Sequence, residues 1–192
     1  MASERRLLLG VLLIVALVLP VGAWAVDRVR QHQQSSDDTP AVLGADTATV
    51  QTYPAATAAP KLDLTTLDGR RLDLAAYRGR PVLLNFWATW CAPCVREFPL
   101  LRRTLEQRRS DGLVVLGVLV NDNPGSARRF VRAHGGSWPV GIDQGARAAG
   151  AFKVVGLPES VFVRRDGTLA TRVLGELTQD RLDAQLASIV AG

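Results

Sequence analysis

Cysteine and histidine are scarce. The 192-residue chain has two of each: Cys91, Cys94, His32 and His134. Two cysteines exclude a multi-bridge disulfide scaffold, and with both histidines they could make at most one four-ligand zinc site. Lysine is nearly absent as well, only Lys61 and Lys153, so the other members of a set of 23 basic residues are arginines, strewn along the chain. Against 18 acidic residues they leave a net charge of +5 and a pI near 10.0. Basic charge without a cluster forms no patch for a phosphate backbone, and no nucleic-acid partner is expected. No internal repeat is present. Apolar residues at 47% and charged residues at 21% match an ordinary globular chain and exclude a wholly disordered or collagen-like one. The length corresponds to one domain with appendages, since a domain holds about 100–200 residues.

What is present falls into three parts. After Arg5 and Arg6, residues 7–26 run without a charge, and Asp27, Arg28 and Arg30 follow. Twenty residues at about 1.5 Å each give roughly 30 Å, enough for a helix to cross the hydrocarbon core of a bilayer. Two readings stand: an uncleaved transmembrane anchor, or a signal peptide cut after Ala23-Trp24-Ala25, which has the small-x-small pattern of a cleavage site. With no cysteine in the segment, a lipid-anchored form is excluded. Both readings place the rest of the chain outside the cytoplasm, either as a single-pass membrane protein or as a secreted one. Residues 27–59 are rich in Gln, Ser, Asp, Thr, Ala and Pro, with no sustained periodicity, and read as a flexible linker. Residues 60–192 read as the folded domain.

Within that domain, alternation at Lys61–Thr65 and Arg71–Leu74 around Asp68-Gly69 predicts a hairpin. The apolar runs 81–87 and 113–120 suit strands buried on both faces. Phe98, Leu101 and Leu105 recur at helical spacing, with Pro99 as a kink. Asn123-Pro124 supplies an N-cap and first-turn proline for a helix to about His134. Ser160–Val163 and Leu169–Leu174 flank Asp166-Gly167, read as a two-residue hairpin turn. Leu182, Leu186, Ile189 and Val190 mark a final amphipathic helix. Strands alternating with helices predict an α/β fold, a central sheet flanked by helices.

The chemistry is concentrated in Trp90-Cys91-Ala92-Pro93-Cys94, which follows a buried strand and opens a helix. Two residues between cysteines in a first helical turn bring both sulfurs within disulfide range. The helix N-terminus, with its unpaired N–H groups, stabilises a thiolate, the attacking species. A zinc reading needs a second ligand pair that His134 alone does not provide. No cofactor and no metal are therefore expected.

The segment Asn85-Phe86-Trp87-Ala88-Thr89-Trp90-Cys91-Ala92-Pro93-Cys94 resembles the active-site strand and helix of thioredoxin-like proteins, and more narrowly the exported TlpA/ResA/CcmG (DsbE) branch. Asn85 stands where plain thioredoxin has Asp, Glu97 lies three residues past Cys94, and Val155–Ser160 is similar to the branch's Gly-x-Pro-Glu-Thr segment. The resemblance implies a thioredoxin-like fold with a mixed sheet, an N-terminal hairpin and a central insertion around residues 121–149. It also implies that Pro158 is cis. It implies thiol–disulfide exchange in which Cys91, the cysteine nearer solvent, attacks a client disulfide and Cys94 resolves the mixed disulfide. Pro158, Glu97 and Glu159 are then expected beside the thiols, and Trp90, Pro93 and the backbone of Leu157 at the client surface. Each carboxylate also reads as an ordinary polar residue, and Trp138 and His134 read as structural. Implied partners are protein disulfide clients, apocytochrome c among them, and an integral membrane thiol transporter that resupplies electrons. Uncharged Ala92-Pro93 with acids nearby favours a reductase. The alternatives are an exported disulfide oxidase or isomerase, and a non-catalytic factor that merely holds cysteine-bearing clients. A peroxidase would need a Pro-x-x-x-Thr-x-x-Cys arrangement that the sequence does not have.

Overall fold

The computed structural model describes the backbone of residues 41–42 and all of residues 48–190. The expected anchor or signal segment lies outside these. Among the described residues no helix is long and apolar enough to cross a membrane.

The fold is built around β5 (Val82–Trp87) and β6 (Val114–Val120). They pair in parallel with Leu84 opposite Leu116, and every residue of both is buried. A strand covered on both faces can be apolar throughout, so the continuous runs in the sequence become the centre of the sheet rather than an edge. The connection between them is α1 (Ala92–Gln107), which buries Phe98 and Leu101 against the sheet. It runs through Pro99, whose exposed ring lacks the N–H that the Val95 carbonyl would accept. On one side, β9 (Glu159–Val163) pairs antiparallel with β5, and β10 (Leu169–Leu174) pairs antiparallel with β9. On the other side, β7 (Val140–Asp143) lies parallel to β6 and carries the predicted hairpin, β3 (Asp63–Thr66) and β4 (Arg71–Asp73). The final helix α4 (Gln179–Val190) follows α2 (Pro124–Ala133) and α3 (Arg147–Ala151) in the chain, and buries Leu182, Leu186 and Ile189. The result is the mixed, helix-flanked sheet of the expected α/β class, in which an edge strand β2 (Thr49–Thr52) leads the order β2-β10-β9-β5-β6-β7-β3-β4.

Two expectations are corrected. Within residues 27–59, expected to be a flexible linker throughout, Thr49–Thr52 form the edge strand β2, antiparallel to β10 with Val50 opposite Val173. Beyond it, the Tyr53 N–H donates to the Ala170 carbonyl at 3.0 Å and the Ala59 N–H to the Gly167 carbonyl at 3.1 Å. All four β2 side chains are exposed, so backbone pairing holds the strand and no hydrophobic alternation marks it. The hairpin between β9 and β10 is one residue longer than predicted. The Gly167 N–H bonds the Arg164 carbonyl at 2.9 Å with Gly167 at φ +84°, and Arg164 and Thr168 close the ladder. That is a three-residue loop with glycine in the left-handed position.

A separate short pairing completes the fold. Gly156–Leu157 (β8) pairs in parallel with Ala41–Val42 (β1), Ala41 opposite Gly156 and Val42 opposite Leu157. The next peptide bond, Leu157–Pro158, is cis.

Candidate active site

Cys91 is the N-cap of α1, in extended backbone at φ −84° and ψ 99°. Its Sγ accepts the Cys94 N–H at 3.3 Å and its carbonyl accepts the Val95 N–H at 3.1 Å. Pro93 occupies the first turn, where a missing N–H costs nothing. Cys91 and Cys94 are joined by a disulfide with Cα atoms 5.3 Å apart. A helix N-terminus with an amide aimed at this sulfur favours a thiolate at position 91 over that of a free cysteine. Burial departs from expectation. Cys91 is 0% exposed and Cys94 2%, so Cys91 is not nearer solvent in this oxidised state. The exposed large apolar side chains beside it in sequence or just before β8 are instead Trp90, at 43%, and Val155, at 59%.

Pairing of β9 with β5 brings Pro158 to the motif. Glu159 lies opposite Phe86 and Ser160 opposite Asn85. Pro158 is therefore level with Trp87, the last residue of β5, four positions before Cys91. Side chains alternate across the sheet, and this separates the two expected carboxylates. Ser160 faces Asn85, whose Nδ2 donates to Ser160 Oγ at 3.1 Å and to Glu97 Oε1 at 2.6 Å. Glu97 Oε2 accepts the Leu177 N–H at 2.9 Å. Glu97 is thus buried beneath the helix, one turn past Cys94. Glu159 points to the other face. Its Oε2 accepts the Val155 N–H at 3.2 Å, and its Oε1 meets Arg172 Nη1 at 3.4 Å. The expectation that Glu159 stands beside the thiols is corrected: the pleat that turns Ser160 toward Asn85 turns Glu159 away, into an ion pair that also involves Gln51 and the ring of Tyr53 through Arg172.

Burial pushes the Glu97 carboxyl up to about 8, helped by the nearby Glu176 charge and opposed by the hydrogen bonds from Leu177 and Asn85. It therefore carries a proton at neutral pH, and repels a neighbouring thiolate only once pH exceeds about 8. A stability consequence follows. The folded value lies above the unfolded one of about 4.3, so the folded state binds the extra proton and loses stability as pH rises between about 4.3 and 8, by at most about 1.4 kcal/mol per pH unit. Buried Glu159 is also raised and contributes with the same sign. Urea unfolding at pH 5, 6, 7 and 8 is expected to show Glu97→Gln flattening this slope relative to the parent. Equal slopes would contradict the assignment.

Two residues of the site carried no motif signal. Asp122 Oδ2 accepts the Thr89 N–H at 2.6 Å, holding the loop that enters the motif, while its other oxygen accepts the Asn123 N–H. Its position just after β6, at the carboxyl end of the strand parallel to β5, was the one available clue. Leu177 contributes only a backbone N–H, which no side-chain pattern reveals. Trp138 and His134 pack as expected. The Trp138 ring lies 4.6 Å from Phe98, and His134 stacks on Phe130 at 4.0 Å. Among the described residues no cluster of three or more His, Cys, Asp or Glu side chains is placed to hold a metal ion.

A strand leading into a helix capped by one member of a Cys-x-x-Cys disulfide, with a cis proline opposite, is a thioredoxin-like arrangement, and the comparisons agree. The family model for the AhpC/TSA family matches residues 55–172. The chain belongs to the AhpC/TSA family. Within it, the TlpA/ResA/CcmG branch is supported by named relatives. A thiol-disulfide oxidoreductase ResA of Bacillus thuringiensis (strain Al Hakam) is 31% identical over 131 residues, 68% of this chain and 76% of that protein. ResA of Bacillus subtilis (strain 168) is 26% identical over 192 residues, covering 100% of this chain and 98% of that protein. Among solved structures, a secreted Mycobacterium tuberculosis disulfide oxidoreductase homologous to Escherichia coli DsbE is 26% identical at a TM-score of 0.59, covering 66% of this chain and 94% of that one. This member of the AhpC/TSA family is a thiol–disulfide oxidoreductase whose substrates are protein disulfides. The expected fold class stands.

Proposed function

We propose that this protein is an extracytoplasmic protein-disulfide reductase, held at the membrane by residues 7–26. The carrying observation is the Cys91–Cys94 disulfide at the start of α1, with Cys91 Sγ accepting the Cys94 N–H and no cation between the cysteines. Helix-terminal N–H groups make Cys91 a competent nucleophile. The uncharged Ala92-Pro93 pair and the acid Glu97 supply none of the extra cationic stabilisation that makes a reduced form persist in a strong oxidant.

In the reaction, the Cys91 thiolate attacks one sulfur of a client disulfide. A Cys91–client bond forms, the client S–S bond breaks, and the departing client thiolate takes a proton. The Cys94 thiolate then attacks Cys91 Sγ and expels the second client thiolate. The client gains two electrons and two protons, and the enzyme is left with the Cys91–Cys94 disulfide. Cys94 must give up its proton before it attacks, and Glu97, one helical turn on and protonated at neutral pH, sets no negative charge against the Cys94 thiolate that results. Trp90 and the Leu157 backbone offer the client surface. The oxidised enzyme needs two electrons from a dithiol donor, and an integral membrane thiol transporter fits an anchored domain. Apocytochrome c, whose two haem-attachment cysteines must be free thiols, is the proposed client. The similar M. tuberculosis disulfide oxidoreductase is secreted, and this supports export here together with the uncharged N-terminal stretch.

The equilibrium reduction potential of the Cys91–Cys94 couple tests the direction. A value near or below that of thioredoxin, about −270 mV, is expected. A value near that of the oxidant DsbA, about −120 mV, would reverse the reading and make the protein an oxidase.

A further inference from the structure

We propose that residues 41–42 of this chain occupy the backbone edge of β8, part of the client surface in the reductase reading, as a tethered, unreactive competitor. The proposal rests on the reductase reading and adds to it what a client must displace. β8 lies outside the eight-stranded sheet, and its ladder partner among the described residues is β1. Both β8 residues are buried, and buried backbone N–H and C=O groups need partners. An edge of this kind accepts any extended peptide through main-chain bonds, and here Ala41 and Val42 provide them in parallel register. The edge runs directly into Pro158, level with the end of β5, so whatever pairs with it lies along the approach to Cys91.

Three features of the occupant suit a competitor. The cysteines of the chain are Cys91 and Cys94, so residues 41–42 offer no sulfur and cannot be turned over. Pro40, the residue before Ala41 in the sequence, has no N–H to offer a ladder. Only residues 43–48 separate Val42 from β2, which is fixed to β10. Across a connection this short, the segment is present at an effective concentration of order millimolar. In the same structure Cys91 has no exposed surface. A free client therefore meets an edge that is filled most of the time, and its apparent affinity falls by the fraction of molecules in which the edge is open. The surface is selective as well as closed: it rewards clients whose cysteine-bearing segment is extended and can pair its backbone, and it rejects folded disulfides.

The test uses the full chain in detergent micelles and, as probe, a ten-residue peptide closed by one Cys-x-x-Cys disulfide. The double variant Ala41→Pro with Val42→Pro removes both N–H groups of β1 and lies outside the eight-stranded sheet. A control pair, Ala45→Pro with Asp46→Pro, leaves β1 intact. The double variant is expected to lower KM for the peptide by about tenfold, as for an edge open about a tenth of the time, with kcat and the control unchanged. As a second variant, twenty Gly/Ser residues inserted between Gly44 and Ala45 keep the β1 sequence while diluting it about ninefold by the −3/2 power of tether length. Its KM is expected between those of the parent and the proline pair. If the parent turns over the peptide but neither variant shifts KM by as much as twofold, the competitor is overturned and the reductase reading survives. If the parent fails to reduce the peptide at all, the reductase reading itself fails.

Discussion

Replacing Cys91 by Ser is expected to lower peptide-disulfide reduction by at least about 10³-fold, while leaving the fold intact. A serine hydroxyl does not ionise near neutral pH, and the helix-terminal amide that favours a thiolate cannot make it a nucleophile toward sulfur. The loss should be the same in kcat/KM whether the client is a short peptide or a protein, because the missing step is bond formation and not docking. Stability should change little beyond the lost cross-link: the Cys94 N–H that now bonds Cys91 Sγ at 3.3 Å would find a serine oxygen, a good N-cap. The assay is initial-rate reduction with dithiol regeneration, alongside urea unfolding of the same samples. A Cys91→Ser enzyme retaining more than about a tenth of parental activity would remove Cys91 from the attacking position.

The largest stability effect is expected at Phe98. Its ring lies 4.6 Å from Trp138, 5.0 Å from Phe130 in an edge-on contact and 5.8 Å from Trp87, and it is 2% exposed. The surroundings cannot easily collapse. A Cβ on Gly136 would come within 2.7 Å of Phe98 Cζ, so the loop after α2 already rests against the ring. Phe98→Ala therefore leaves a cavity lined by rigid aromatics, and should cost about 3–5 kcal/mol. For a domain of this size that lowers Tm by about 10–20 °C. Denaturant unfolding should show a lower midpoint with an unchanged slope. A loss below about 1 kcal/mol would mean that α2 and the Trp138 loop refill the site, and that the insertion is not locked to α1 through this ring.

How much of this was legible depends on what each residue advertises. The runs at β5 and β6 announced themselves because strands buried on both faces exclude polar residues. Cys91 and Cys94 announced the site because their spacing has few other uses. Asn123 capped its helix as predicted, its Oδ1 accepting the Ser126 N–H at 3.0 Å. β2 was missed because an edge strand with four exposed side chains leaves no alternation in the sequence. β7 sat unannounced inside the predicted insertion, too short at four residues to stand out as a period. The fate of Glu159 turned on strand parity. A single position along β9 decides between Asn85 and Arg172, and nothing in a motif match says which side of the pleat a residue takes. Glu97 could be placed near Cys94 by helical spacing, but its raised pKa comes from burial, against the pull of a backbone amide eighty residues on, at Leu177. That part of the site exists only once the chain is folded.

The account rests on Cys91 attacking first and Cys94 resolving, and one measurement addresses that order. Reduced Cys94→Ser protein is mixed with the disulfide-closed peptide, acid-quenched, and mapped by mass spectrometry. The expected result is a covalent adduct of one peptide per chain, linked through Cys91 and stable to alkylation. Cys91→Ser protein treated in the same way should yield no adduct. Adducts that form through Cys94 in the Cys91→Ser protein, with none through Cys91 in the other, would contradict the account.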